Sequence, residues 1–179
     1  MNVNAFWELV ESTRATSPCD RAEQLTERLA QLPTDEVREF QLRLDEVRAP
    51  LDTMATVALA KLVGPGFLSD DTLWYFHAWL IGLGRDAHRL AVHDPDALAD
   101  LPEFRALAAG AERFVPDWEA LDYCAAQAWE ELTGEEDGLE ESLLAQGHES
   151  PLNAEPEGEL WTAEQTAARL PKLTALFAS

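Results

Sequence analysis

Apolar residues recur every three or four positions along most of this chain, and no segment alternates apolar and polar positions through a run of β-branched residues. Period 3.6 without period 2 predicts an all-α fold. In "NAFWELVESTRA", Phe6, Trp7 and Val10 share a helical face with Val3 just upstream, and Asn4 is placed to cap the helix. "SPCDRAEQLTERLAQLP" repeats apolar positions at Ala22, Leu25, Leu29 and Leu32 and ends at Pro33. Thr34 then starts a third helix, with Asp35 and Glu36 in the first turn, where the helix macrodipole favours negative charge.

The most regular stripe follows: Val37, Phe40, Leu44, Val47, Leu51 and Met54. Pro50 lacks an amide hydrogen and its ring clashes with the preceding turn, so the stripe should split into helices over 34–49 and 50–63. "VGPGF" stops the second of these. Asp94 before Pro95 predicts a capped short helix, and Pro102 starts another. "EALDYCAAQAWEELTG" sets Leu121, Cys124, Ala125, Ala128, Trp129 and Leu132 on one face and stops at Gly134. Residues 134–159 lose the pattern and read as an acidic, flexible loop, after which Thr162 caps a helical segment that Pro171 splits. The expectation is a single domain over 1–179: an irregular bundle of six to eight helices around a central aromatic helix at 71–82.

Charge sharpens this picture. The formal net charge is −21, which disfavours direct binding to nucleic-acid backbones and to anionic membranes. It is also unevenly spread: residues 1–113 hold 19 acidic against 11 basic residues, whereas residues 114–168 hold 15 acidic and no basic ones. A single-sign segment of this kind can simply keep a surface solvated, can capture a basic protein partner or imitate nucleic acid, or can collect cations. No D-x-D-x-D-G spacing supports a calcium loop. The candidate partner-binding surface is Glu130, Glu131, Glu135, Glu136, Asp137, Glu140 and Glu141.

Cys19 and Cys124 are far apart in sequence and read as free thiols in a reducing cytoplasm. The N-terminal stretch has no basic segment followed by an apolar run, and no run of about 18 apolar residues occurs, so neither export nor membrane insertion is expected. Eleven arginines against two lysines, with abundant alanine, suggest a GC-rich bacterial genome.

The densest chemistry lies in "FLSDDTLWYFHAWLIGLGRD". Ser69 is placed to cap the helix, and Asp70 and Asp71 lie at its positive end, which is a sufficient structural role for both. His77 sits among Trp74, Phe76 and Trp79 as a core histidine or as a ligand or base, and Arg85 can pair with a carboxylate or an external anion. Asp70, Asp71, Trp74, His77, Trp79 and Arg85 are therefore the candidate ligand pocket. No metal-ligand spacing, glycine-rich phosphate loop or G-x-S-x-G elbow is present, so no cofactor, metal or catalytic residue is assigned.

The order "FW-LV", "LP-DEV-EF", "SDD---YF-AWLIG-GRD", "DPDALADLPEF", "AAQAWEELTGEE" and "LPKLTALF" resembles the bacterial family catalogued as domain of unknown function 4240. The resemblance covers nearly the whole chain, and its middle block is the most specific. It implies a small, soluble, helical protein, sometimes found beside a WGR domain, with no established activity. The family's usual pattern has an arginine where this chain has His77, and a residue other than proline at Pro50.

Two functional expectations follow. The first is a non-enzymatic interaction module whose acidic segment binds a basic protein; the second is a small-ligand- or metal-binding protein or enzyme with a pocket around residues 70–85. The oligomeric state is not legible.

Overall fold

The computed structural model describes residues 1–14, 18–64, 69–110, 116–149, 151 and 155–178. Its α-helices are, in chain order, α1 (Val3–Ser12), α2 (Pro18–Leu29), α3 (Thr34–Arg48), α4 (Met54–Val63), α5 (Asp70–Gly82), α6 (Arg85–His93), α7 (Pro102–Ala108), α8 (Leu121–Thr133), α9 (Gly138–Leu144), α10 (Ala163–Arg169) and α11 (Pro171–Phe177). Tight 3-10 turns occupy Ala49–Leu51 and Pro95–Asp100. Among the described residues the fold is all-α, and its only β feature is a parallel bridge between Thr53 and Glu157. The chain is cut more finely than the expected six to eight helices. Pro102 and Pro171 each begin a new helix, and the turn at Pro50 separates α3 from α4. Of the "VGPGF" stop, Gly64 caps α4, and the residues after it lie outside the described ones.

The chain forms two compact units, each built from two separate segments: Met1–Ala49 with Trp118–Leu152, and Pro50–Asp117 with Asn153–Ser179. In the first, α1 buries Phe6, Trp7 and Val10 as its spacing predicts, while Val3 stays about half exposed. Its cap is Asn2, not Asn4: the Asn2 side chain accepts the amides of Asn4 and Ala5 at 2.9 and 3.0 Å. The Phe6 ring packs against Phe40 of α3, with centroids 5.1 Å apart. Leu25 and Leu29 of α2 are fully buried, as are Val37, Phe40 and Leu44 of α3, each burial worth about 2 kcal/mol of apolar transfer. From α8, Leu121, Cys124, Ala125, Ala128 and Trp129 are buried as predicted, but Leu132, two residues before the Gly134 stop, is exposed.

The last turn of α3 carries an unusual burden. Arg48 is 1% exposed, and its Nη2 donates to Asp122 Oδ1 on α8 at 2.5 Å. A guanidinium removed from water is tolerable only with such a carboxylate in place. Asp45, one turn earlier, is also buried, accepts Gln41 Nε2 at 3.0 Å and is paired with His148 Nε2 at 2.7 Å.

In the second unit, Thr53 caps α4 by accepting the Thr56 amide, and α5 is the most buried helix, with Leu73, Phe76 and every residue of 77–82 inside. Phe76 stacks on Trp79 at 5.6 Å, and Trp79 meets Phe104 of α7 at 5.3 Å. Gly84 then turns the chain into α6 with φ +97°, a left-handed conformation that a side chain resists. Asp94, expected as a cap, makes no side-chain cap bond. Asp96 instead accepts the amides of Lys172 and Leu173, at 2.9 and 3.0 Å, and so closes the start of α11 from another part of the chain. The bridge at Thr53 is completed by Met54 N to Glu157 O at 2.8 Å and Glu157 N to Asp52 O at 2.9 Å.

Two stability predictions follow from these charges. Arg48→Ala leaves Asp122 without its buried partner and should lower unfolding free energy by about 3–5 kcal/mol, whereas the double change Arg48→Met with Asp122→Leu should lose much less, as denaturant melts can establish. The second concerns Asp52, whose carboxyl is raised above its ordinary value by burial and, secondarily, by Glu157. Its folded pKa then exceeds its unfolded one, so ionisation near neutral pH opposes folding, and that opposition fades as pH falls through the folded value. Asp52→Asn should therefore raise Tm at neutral pH and leave it unchanged below about pH 3; scanning calorimetry across that range reads the difference.

Candidate functional site

All seven predicted acidic residues come together on one hairpin, α8 and α9 of the first unit, and all seven are exposed. Glu130 and Glu131 lie on the outer side of α8, Glu135, Glu136 and Asp137 on the connection, and Glu140 and Glu141 on the outer side of α9. The arrangement follows from the apolar residues beneath. Gly138 and Leu139 are buried and Ser142 half-buried, which leaves Glu140, Glu141 and Leu144 to solvent.

The presence of α9 corrects the expectation of a loop through 134–159. Glycine at 138 reads as a loop residue, but here it serves close packing: a Cβ at this position would lie 2.5 Å from Trp129 Nε1 and 2.9 Å from Glu135 Cβ. Polar contacts then fix the hairpin to α3. Arg38 Nη1 donates to Ser142 Oγ at 3.2 Å, Arg48 pairs with Asp122 at the start of α8, and Asp45 holds His148 just beyond α9. Arg38, Asp45 and Arg48 recur at near-helical spacing, so one side of α3 is a row of polar anchors for the acidic hairpin. Sequence reading missed these anchors because each partner is more than 70 residues away.

The second candidate set divides by environment. Asp70 and Asp71 are exposed in the first turn of α5, Trp74 is half-buried, His77 and Trp79 are buried at 1% and 4% exposure, and Arg85 is exposed at the start of α6. Ser69 is the cap, its hydroxyl accepting the Thr72 amide at 3.1 Å. The aspartates thus occupy the favourable end of the α5 dipole, and the imidazole lies in the aromatic interior of the same helix. A cleft of about 350 Å³ elsewhere in the second unit is lined by none of the six.

Two further groups have altered acid–base character. Burial pushes the Cys124 thiol up to about 11, and its sulfur lies 3.2 Å from the Ala120 carbonyl, so it is a poor nucleophile near neutrality. The side chain of Cys19 lies outside the described residues. Burial, helped by Arg14, lowers Arg21 to about 10; its guanidinium stacks 4.0 Å above the Trp118 ring and donates to Thr13 and Val10. Among the described residues no three histidine, cysteine or acidic side chains are grouped to hold a metal ion, and no helix is long and apolar enough to cross a membrane.

A family model described as "Protein of unknown function (DUF4240)" matches residues 1–131, and the chain belongs to that family. The match takes in α1 to α7 and most of α8, including both partners of the Arg48–Asp122 pair, and stops before α9. No curated protein and no solved structure matches the chain.

The anchoring of the hairpin can be tested directly. His148→Ala or Gly138→Ala should each speed amide exchange in α9 by roughly tenfold, as expected for about 1–2 kcal/mol of local destabilisation, and leave α5 amides unchanged. Hydrogen exchange read by mass spectrometry separates the two helices.

Proposed function

We propose that the protein is a non-enzymatic interaction module that binds a basic protein partner through the α8–α9 hairpin. The observation that carries this reading is the exposure of all seven carboxylates on one hairpin, within a stretch, 114–168, that has no basic residue to neutralise them. Unpaired charge of one sign sets up a field that acts within about a Debye length of the surface and steers oppositely charged surfaces into register. Burial of Gly138 and Leu139 and the bonds to Arg38 and Asp45 hold the hairpin's shape, so little conformational entropy is lost when a partner docks.

Leu144 and Tyr123 add exposed apolar and aromatic surface, at 53% and 49%, to the same two helices. An interface of carboxylates around a few such anchors suits a lysine- or arginine-rich protein surface. The buried, unreactive Cys124 thiol fits a protein that works in the reducing cytoplasm.

The test is capture of basic proteins from the native host at low and at high salt, followed by affinity measurement on the purified partner. Affinity should fall by roughly tenfold or more with added salt. Glu135→Gln, Glu136→Gln, Asp137→Asn, Glu140→Gln and Glu141→Gln combined should reproduce that loss at low salt. An affinity indifferent both to salt and to this neutralisation overturns the reading.

A further inference from the structure

The cleft in the second unit has a composition that neither the helices nor their caps require. It lies between the start of α4 and the chain that runs from the Glu157 bridge into α10, and Met54, Glu157, Glu159, Leu160, Trp161 and Arg169 line it. Gly158, with φ +100°, turns this chain away from the bridge, and a Cβ there would project toward Met54, 3.9 Å from its Cβ. Two of the neutral side chains that line the cleft serve as helix caps. Thr53 caps α4, and Gln165 closes a capping box with Thr162, the two bonds measuring 2.9 and 3.2 Å.

The cleft also carries charged groups and apolar walls that can meet a ligand. The Arg169 guanidinium stacks 4.4 Å from the centroid of the Trp161 ring, which holds it in place. Among the described residues no carboxylate comes within the 4.0 Å of an ion pair with it, although Glu157 and Glu159 line the same cleft. Leu160 is 57% exposed beside them, a large aliphatic side chain left in water at the cleft wall. Opposite charges in one cleft, unpaired with each other and set against apolar surface, match a ligand that carries both charges and an apolar group.

We propose that this cleft binds a small apolar zwitterion, a free amino acid or a dipeptide, with its carboxylate on Arg169, its ammonium on Glu157 and Glu159, and its side chain against Leu160, Trp161 and Met54. An anion alone would meet the two glutamates, and a cation alone would meet Arg169, so each single-charge ligand leaves one repulsion. A planar guanidinium takes a carboxylate through two parallel N–H donors, and an ammonium has three donors to share between two carboxylates. The volume of about 350 Å³ admits a ligand of this size. An ammonium beside Glu157 would also relieve the repulsion that Glu157 exerts on Asp52. None of these residues belongs to the α8–α9 hairpin, so this inference stands or falls apart from the partner-binding reading.

Isothermal titration of the full chain with L-leucine and with L-leucyl-L-leucine is the test, with N-acetyl-L-leucine and L-leucinamide as ligands lacking one charge each. Saturable binding of either zwitterion is expected, with each blocked analogue weaker by roughly tenfold or more. Which zwitterion binds more tightly distinguishes the free amino acid from the dipeptide. In Arg169→Gln the preference for leucine over leucinamide should disappear, and in Glu157→Gln with Glu159→Gln the preference over acetyl-leucine should disappear. All three residues are exposed, and circular dichroism verifies that both variants are folded. No saturable heat with any of the four ligands, leucinamide binding as tightly as leucine, or an unchanged preference in Arg169→Gln would each overturn the proposal.

Discussion

The first unit is organised by a charge that cannot be left alone. Arg48 is a large charged side chain at 1% exposure, and it sits at the end of α3, where the chain leaves this unit, to return only at Trp118. An uncompensated guanidinium in the interior costs several kcal/mol, so a state in which α8 fails to return with Asp122 is strongly disfavoured. The pair adds little net stability over apolar residues of the same volume. Its effect is selective: Leu121, Cys124 and Ala125 tolerate small shifts along their partners, but a carboxylate must meet Arg48 at one place. The register of α8 against α3 is thereby set, and through α8 the position of α9.

The second unit solves the same problem of a returning segment by neutral means. Backbone bonds join Asp52 and Met54 to Glu157 across more than a hundred residues, and Asp96 supplies the acceptor that the first amides of α11 lack. Both devices satisfy backbone groups that would otherwise need water. They also fix the chain between Glu157 and α11, the stretch that contributes Glu159, Leu160, Trp161 and Arg169 to the cleft.

Sequence reading succeeded where the determinants are local. Ser69 and Thr162 cap as expected because a cap needs only an oxygen and an amide three residues on. Phe6, Phe40, Leu44 and Leu80 are buried because helical periodicity forces them to one side or, in α5, because nearly every side is apolar. Asn2 was missed in favour of Asn4 because both could accept early amides, and the choice depends on where the first helical turn closes. α9 was missed because Gly138 and a run of acids imitate loop composition, whereas the glycine answers the Trp129 indole, a neighbour that only the hairpin brings near. Asp45 and Arg48 lie outside the apolar stripe of Val37, Phe40, Leu44 and Val47. Their burial depends on Asp122 and His148, which periodicity within α3 cannot reveal.

The acidic hairpin therefore combines two tendencies that usually exclude each other. Seven exposed carboxylates repel one another, and in a chain with few apolar contacts that repulsion would favour an extended, disordered segment. Here Trp129 and Leu139 are buried beneath them, and Arg38, Asp45 and Arg48 hold the hairpin and its continuation from α3. The attraction is placed on the inner side and the repulsion on the outer side. Because carboxylates in water keep most of their hydration, the outer repulsion is small compared with the loss of the inner contacts on opening. Cationic groups brought to that surface would remove the residual repulsion and add attraction at once, without a conformational change in the helices that carry it.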